Sequence, residues 1–307
     1  MLFVFPDYYK NFKCIASSCR HNCCIGWEID IDADTAAFYE TVPDELGKRL
    51  CKNISHEGDT HFILTKDERC PFLNCDNLCD IILTLGEEAL CDICTEHPRF
   101  RNELPGRIET GLGLCCEEAA RLILGKATPM TLEISGYGDT QDEIIRKRDE
   151  IISILQNRTE SISERITEML SLCNSKPLRE VYHYVPLLMS LERMDSQWED
   201  VLEKISQPQP QPIKDAFALY MQGRETEYEQ LLVYFIYRHF ANASDDEGMA
   251  ERAAFAAFAY ETIYAAGMAL FAENGELSFE TQVGLARLFS SEIEYSDENR
   301  DIILSSL

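Results

Sequence analysis

The chain has 307 residues, is 45% hydrophobic, and carries 54 acidic against 28 basic residues for a net charge of -26. Phosphate contacts dominate nucleic-acid affinity, so this charge argues against nucleic acid and anionic membrane as partners and favours a lysine-bearing protein surface. No run approaches 18 consecutive apolar residues, and Met1-Leu2-Phe3-Val4-Phe5-Pro6-Asp7 lacks both a basic start and a small-residue cleavage site. Neither a membrane span nor a signal peptide is expected, and a cytoplasmic protein with reduced thiols is the reading that fits.

Taken in order, residues 26–32 alternate apolar and polar at period two, the mark of a half-buried strand, and residues 60–65 are a second candidate. Between them Asp34 is placed to cap a helix through Ala36, Phe38 and Tyr39 that ends before Pro43. Residues 78–91 read as a helix with Ile81, Ile82, Leu85, Ala89 and Leu90 apolar, and Pro98 stops any helix over 91–97. Beyond about residue 125 helical periodicity takes over, at 142–155, 161–172 and 178–194, the last broken near Pro186. The Gln-Pro run at 207–212 is an extended connector, and helices resume at 213–222, 226–241, 246–273 and 278–293. The expected fold is mainly α: a cysteine-rich metal-binding domain with short strands over residues 1–125, then an all-helical domain over 126–307.

Twelve of the thirteen cysteines lie in the first 116 residues: Cys14, Cys19, Cys23, Cys24, Cys51, Cys70, Cys75, Cys79, Cys91, Cys94, Cys115 and Cys116, with Cys173 outside. Soft thiolates gather around zinc or iron–sulfur clusters. A disulfide framework suits small secreted domains, and this chain is long enough for a large apolar core. If residues 19–24 are helical, Cys19 and Cys23 share a face at i, i+4. Cys70-Pro71 puts a sulfur at a turn, and Cys91-x2-Cys94 is equally a zinc knuckle or a redox pair. No segment has a zinc-finger or ferredoxin spacing, so the pattern points to metal without naming which.

Several polar residues admit plainer readings. His97 and Arg99 flank Pro98 near Cys94 and brace a loop or touch substrate, while His21 sits inside the first cluster. Trp27, Tyr234 and Tyr237 read as core, and Glu117 with Arg121 as a surface pair. Gly111-Leu112-Gly113 is too short for a nucleotide-binding loop, and there is no Cys-x3-Cys-x2-Cys run.

Taken together, Asn11-Phe12-x-Cys14-x4-Cys19-x3-Cys23-Cys24-x-Gly26-Trp27, Cys70-Pro71-Phe72-Leu73, Leu78-Cys79-x5-Leu85-Gly86-x2-Ala89-Leu90-x3-Cys94-x3-Pro98-Arg99 and Leu114-Cys115-Cys116-Glu117-x-Ala119-Ala120-Arg121 resemble the flagellin lysine-N-methylase family. That family belongs to a wider group of cysteine-rich proteins that chelate zinc or iron. Residues 231–238 carry a weaker echo of it. The resemblance implies S-adenosylmethionine-dependent methylation of lysine side chains on flagellin, with a [4Fe–4S] cluster or, alternatively, zinc. Carried over position by position, the implied ligands are Cys14, Cys19, Cys23, Cys24, Cys70, Cys79, Cys94 and Cys116, enough for one centre or two. The resemblance assigns no catalytic or cosubstrate-binding residue here. The rival reading is a non-enzymatic metal-binding or redox-sensing protein with a helical partner-docking domain.

Overall fold

The cysteine-dense stretch is an insertion. Lys13–Arg99 forms one unit, and Met1–Phe12 joins Phe100–Leu307 in another. The computed structural model describes residues 1–138 and 142–307. Composition suggests a boundary near residue 125, whereas the units divide near 12 and 99. The reason is a four-stranded sheet ordered Arg99–Leu104, Arg107–Leu112, Leu2–Pro6, Leu132–Gly136, in which the first strand of the chain pairs with strands a hundred residues later. Leu2–Pro6 runs parallel to Arg107–Leu112, with Val4 opposite Glu109, and antiparallel to Leu132–Gly136, with Val4 opposite Ile134.

Within Lys13–Arg99 the helices are short: Ala33–Thr41, Asp44–Asn53, Asp80–Leu85 and Asp92–Glu96. Asp32, not Asp34, caps the first, its side chain accepting from the Thr35 N–H. Residues 26–32 keep their alternation, with Ile29 and Ile31 buried, but pair through a single bridge, Asp30 to His61, with a second, Ile25 to Arg69, just before them. The one ladder in this unit pairs Ile54–Ser55 with His61–Phe62. The helix expected over 78–91 is shorter because Gly86, at φ +96°, turns the chain out of it; Glu87–Ala89 follows as a 3-10 turn. Tyr39, Leu50, Phe62, Phe72 and Ile81 form the core, with Cys70 and Cys91 among them.

Gly47 fills a position on the Asp44–Asn53 helix where a Cβ would lie 1.8 Å from the Val42 carbonyl oxygen. Gly47→Ala is therefore expected to destabilise this unit by about 1–3 kcal/mol. Gly284→Ala, on a helix with open space around it, is expected to be neutral or stabilising by up to about 1 kcal/mol. Thermal unfolding of both variants checks the contrast.

The other unit is mainly helical. Asp142 caps Glu143–Leu155, and Ser161 with Glu164 closes a capping box on Ile162–Leu172; periodicity predicts both helices without marking these caps. The predicted break near Pro186 leaves a 3-10 turn at Val181–His183 and a short helix, Val185–Ser190. Pro212 falls in the first turn of Gln211–Met221, where its missing N–H is harmless, so the connector ends earlier than expected. Glu225–His239 is buried on every side because it packs against Glu117–Leu124, Glu143–Leu155 and Asp246–Asn274. Asp246–Asn274 is long and apolar enough to cross a membrane, yet 61% of its most apolar window is buried within the fold, as in a core helix. Ala253, Ala256, Ala257 and Ala259 keep its surface low for close packing, and Gly275, at φ +76°, ends it. Phe279–Phe289 continues into a π-helical turn, Ser290–Glu294, and a final helix, Asp297–Ser306, which the sequence reading misses.

Candidate metal centre

The core of Lys13–Arg99 draws thiols inward from four separate segments. The Cys70 N–H donates to the Cys24 carbonyl at 2.8 Å, tying the first cysteine cluster to the second. A bridge between Leu73 and Cys79 folds the next turn back, and Cys79 then stands at the N-cap of Asp80–Leu85. Cys91 occupies the N-cap of Asp92–Glu96 and Cys94 lies on that helix. Asp32 fixes this last segment: its carboxylate accepts from both the Thr35 N–H and the Asp92 N–H, at 2.8 and 3.0 Å. Despite its burial, those bonds hold its carboxyl below the usual range. Sequence reasoning missed Asp32, although an aspartate just before an apolar helix is a recognisable cap.

Cys23, Cys24, Cys70, Cys79, Cys91 and Cys94 share one electrostatic neighbourhood. The Cys24 thiol donates to Cys23, which pushes Cys24 up and Cys23 down; burial and the charges of Cys23, Cys70 and Cys79 raise Cys24 further. Cys94 donates to Cys91 in the same way and feels Cys24 and Cys70. Burial pushes Cys70 up to about 11 and also raises Cys79. Among the described residues no three His, Cys, Asp or Glu side chains stand close enough to hold a metal ion directly. The donor set still fits thiolate ligation in kind: five sulfurs in or against an apolar core, with Cys23 exposed beside Cys24.

The sequence-derived ligands thus separate. Cys24, Cys70, Cys79 and Cys94 lie in or against the core of Lys13–Arg99 together with Cys91, and Cys23 is exposed beside Cys24. Cys14 is exposed, its sulfur accepting from the Ala16 N–H at 3.4 Å, and Cys19 follows on the next turn. Residues 19–24 are bends and turns rather than helix, so the i, i+4 arrangement does not form. Cys116 belongs to the helical unit, at the N-cap of Glu117–Leu124. All thirteen cysteines are thiols.

Trp27 and His97 flank the group. The Trp27 indole donates to the Cys23 carbonyl at 2.6 Å, and its ring lies 6.2 Å from the His97 ring. Burial, with Arg99 beside it, pushes His97 down to about 4. An unfolded chain takes up this proton near the ordinary 6.5 while the native one resists it. The resulting stability is complete above about pH 6.5 and is lost as pH falls toward 4. His97→Phe is expected to flatten that part of the unfolding-versus-pH curve, read by thermal unfolding between pH 7 and 4.5.

The loop 113–116 is held by a second constellation inside the helical unit. Leu114 N–H donates to the Tyr234 hydroxyl at 3.2 Å, and Tyr234 meets both oxygens of Glu294 at 2.9 Å. Glu294 also accepts from Ser290 at 2.5 Å, hydrogen-bonds to His239 at 2.6 Å and pairs with Arg238 at 3.3 Å. Burial opposes its charge, but Arg238, His239 and Ser290 hold its carboxyl at about 2. Burial keeps His239 below its usual range and pushes the Cys115 thiol up to about 12, although Tyr295 donates to its sulfur. A Cβ on Gly113 would strike the Tyr295 hydroxyl, and one on Gly111 the Phe100 ring. The Gly-x-Gly pair therefore makes room for aromatic side chains.

Comparison with known proteins follows these features. Residues 178–307 match the family model for the FliB lysine N-methylase C-terminal domain. Two lysine-N-methylases, of Salmonella choleraesuis and Salmonella typhimurium, are each 32% identical over 135 residues, covering 41% of this chain and 33% of theirs. The flagellar biosynthetic protein FliU of Salmonella muenchen is 31% identical over 135 residues, covering 41% of this chain and 79% of that protein. The chain thus spans about a third of the length of the two lysine-N-methylases it matches. No solved structure matches it.

Proposed function

The chain belongs to the flagellin lysine-N-methylase family, and on that premise we propose that it methylates lysine side chains of flagellin in the cytoplasm, using S-adenosylmethionine, with a [4Fe–4S] cluster held by the thiol-rich unit. The observation that carries this reading is the placement of five thiols, Cys24, Cys70, Cys79, Cys91 and Cys94, in or against one small core, in a chain similar to lysine-N-methylases. Cys23, Cys24, Cys70, Cys79, Cys91 and Cys94 supply more than the four sulfurs that a cluster takes. These thiolates would hold such a cluster, and its iron would supply Lewis-acid binding of the cosubstrate. Asp32 orients the Cys91 segment and the Trp27 indole holds the Cys23 carbonyl, positioning thiols that would carry the cluster.

The transfer itself is a displacement. The lysine nitrogen lone pair attacks the sulfonium methyl carbon, the carbon–sulfur bond breaks with its electrons going to sulfur, and the nitrogen then sheds a proton. A free lysine amine is protonated near neutral pH, with an ordinary pKa of about 10.4, so the site must desolvate it or supply a base.

Anaerobic purification with iron, sulfide and zinc analysis, a visible spectrum and a methyl-transfer assay on flagellin tests the proposal. Iron and sulfide, with a spectrum that changes on adding S-adenosylmethionine and with methyl incorporated into lysine, is the expected result. Zinc alone and no transfer would favour a zinc-stabilised scaffold. The hydrogen-bonded pairs Cys23–Cys24 and Cys91–Cys94 favour one rival, a redox sensor, whose signature is reversible disulfide formation with no methyl transfer.

A further inference from the structure

The helical unit carries an aromatic and acidic constellation that the proposed chemistry does not use. Tyr260 and Tyr264 lie one turn apart on Asp246–Asn274, half-buried, with ring centroids 5.6 Å apart and planes tilted by 34°. Tyr228, buried behind them, sits 5.4 Å from Tyr260 and 5.3 Å from Tyr264. Its hydroxyl is committed to Gln282 at 3.3 Å. Beside the two outer rings stand the carboxylates of Glu261 and Glu225, whose charges reinforce the effect of burial in raising both phenols.

This negative charge has no internal cation. Among the described residues neither the Glu261 nor the Glu225 carboxylate makes a hydrogen bond or an ion pair. The Glu261 side chain is exposed on the outer face of its helix, with the Glu180 charge nearby. The neighbouring cations are engaged elsewhere: Arg224 pairs with Glu227 at 2.6 Å and also donates to the Leu277 carbonyl, and Lys214 lies 3.6 Å from Glu180. Aromatic faces attract cations through the ring quadrupole, and carboxylates accept the hydrogen bonds that an ammonium donates.

We propose that Tyr260 and Tyr264, backed by Tyr228 and flanked by Glu225 and Glu261, form a subsite for an alkylammonium group, occupied by a lysine side chain of the protein substrate. The substrate assignment rests on the methylase reading above. The subsite docks and does not react. Carboxylates beside a bound ammonium favour its protonated form, which has no lone pair to offer a methyl group. Its lysine is therefore a second one on the substrate, distinct from the lysine that is methylated.

The test titrates n-butylammonium chloride into the full-length protein carrying 13C-labelled tyrosine, with n-butanol as a neutral control. Saturable shifts of the Tyr260 and Tyr264 ring signals with the ammonium, absent with the alcohol, are expected. Glu261→Gln, which keeps shape and removes charge, is expected to weaken binding about three- to tenfold. Tyr264→Leu is expected to weaken it by a similar factor. On flagellin, Glu261→Gln is expected to lower kcat/KM through KM. Equal responses to ammonium and alcohol, or full affinity in both variants, would overturn the subsite. Ammonium binding by a wild-type protein that transfers no methyl to flagellin would instead overturn the methylase reading and leave the subsite standing.

Discussion

Glu294→Gln is expected to lower the stability of the helical unit by about 3–5 kcal/mol, the usual cost of removing one partner from a buried ion pair. Glu294 is wholly buried, and the variant leaves the Arg238 guanidinium, whose side chain is 12% exposed, without its carboxylate. The remaining contacts of Arg238, a hydrogen bond to the Tyr234 hydroxyl at 2.7 Å and the Phe100 and Tyr295 rings at 4.9 and 4.4 Å, attract a cation but do not neutralise it. The π-helical turn explains why so much depends on this one side chain. It points Ser290 and Glu294 inward together, so one carboxylate serves Ser290, Tyr234, Arg238 and His239. A fall in melting temperature on the order of 10 °C is expected; a fall below about 2 °C would show that the network relaxes without it.

The same carboxylate sets an acid limit. Its pKa is held at about 2 against an ordinary 4.5, so the unfolded chain binds its proton at higher pH than the folded one. The stability it contributes is complete above about pH 4.5 and drains as pH falls toward 2. His239, buried below its usual range, acts in the same direction at higher pH, because unfolding lets it take up a proton. Glu294→Gln is expected to remove the lower part of this acid slope.

Cys91→Ser is the second decisive substitution. Sequence resemblance leaves Cys91 outside the ligand set and includes Cys116; the fold buries Cys91 completely, pairs it with Cys94 and places Cys116 in the other unit. If the proposed cluster is bound, Cys91→Ser and Cys70→Ser are therefore expected to lower the iron retained per chain about tenfold or more after anaerobic gel filtration. Cys51→Ser, at an exposed thiol, is expected to retain it. Full iron in Cys91→Ser together with loss in Cys116→Ser would restore the set that the resemblance implies.

What the sequence showed depended on how local the signal was. The helices at 142–155 and 161–172 are legible because their apolar stripes repeat within one turn. Leu2–Pro6 gave no such sign: a five-residue apolar strand looks the same whether it pairs or not, and its partners begin at residue 107. Cysteine spacing marked the clusters but not which sulfurs meet, because the Cys24–Cys70 contact is made by a backbone hydrogen bond across 46 residues. Glu294 was invisible for a related reason. In the run Phe289-Ser290-Ser291-Glu292-Ile293-Glu294 nothing local distinguishes a buried glutamate from a solvated one, and its partners lie on a helix that ends 55 residues earlier.

The insertion also sets an order of events on the ribosome. Leu2–Pro6 emerges about a hundred residues before Arg107–Leu112, an interval of roughly 5–20 s at ordinary elongation rates. The whole Lys13–Arg99 segment is synthesised within that interval, so its thiols are available to collapse or capture metal while the helical unit still lacks most of its chain. Phe3, Val4 and Phe5 meanwhile wait as an unpaired apolar edge, open to the wrong partners. Nascent-chain yield, rather than the stability of the finished protein, is where substitutions in this first strand should be felt.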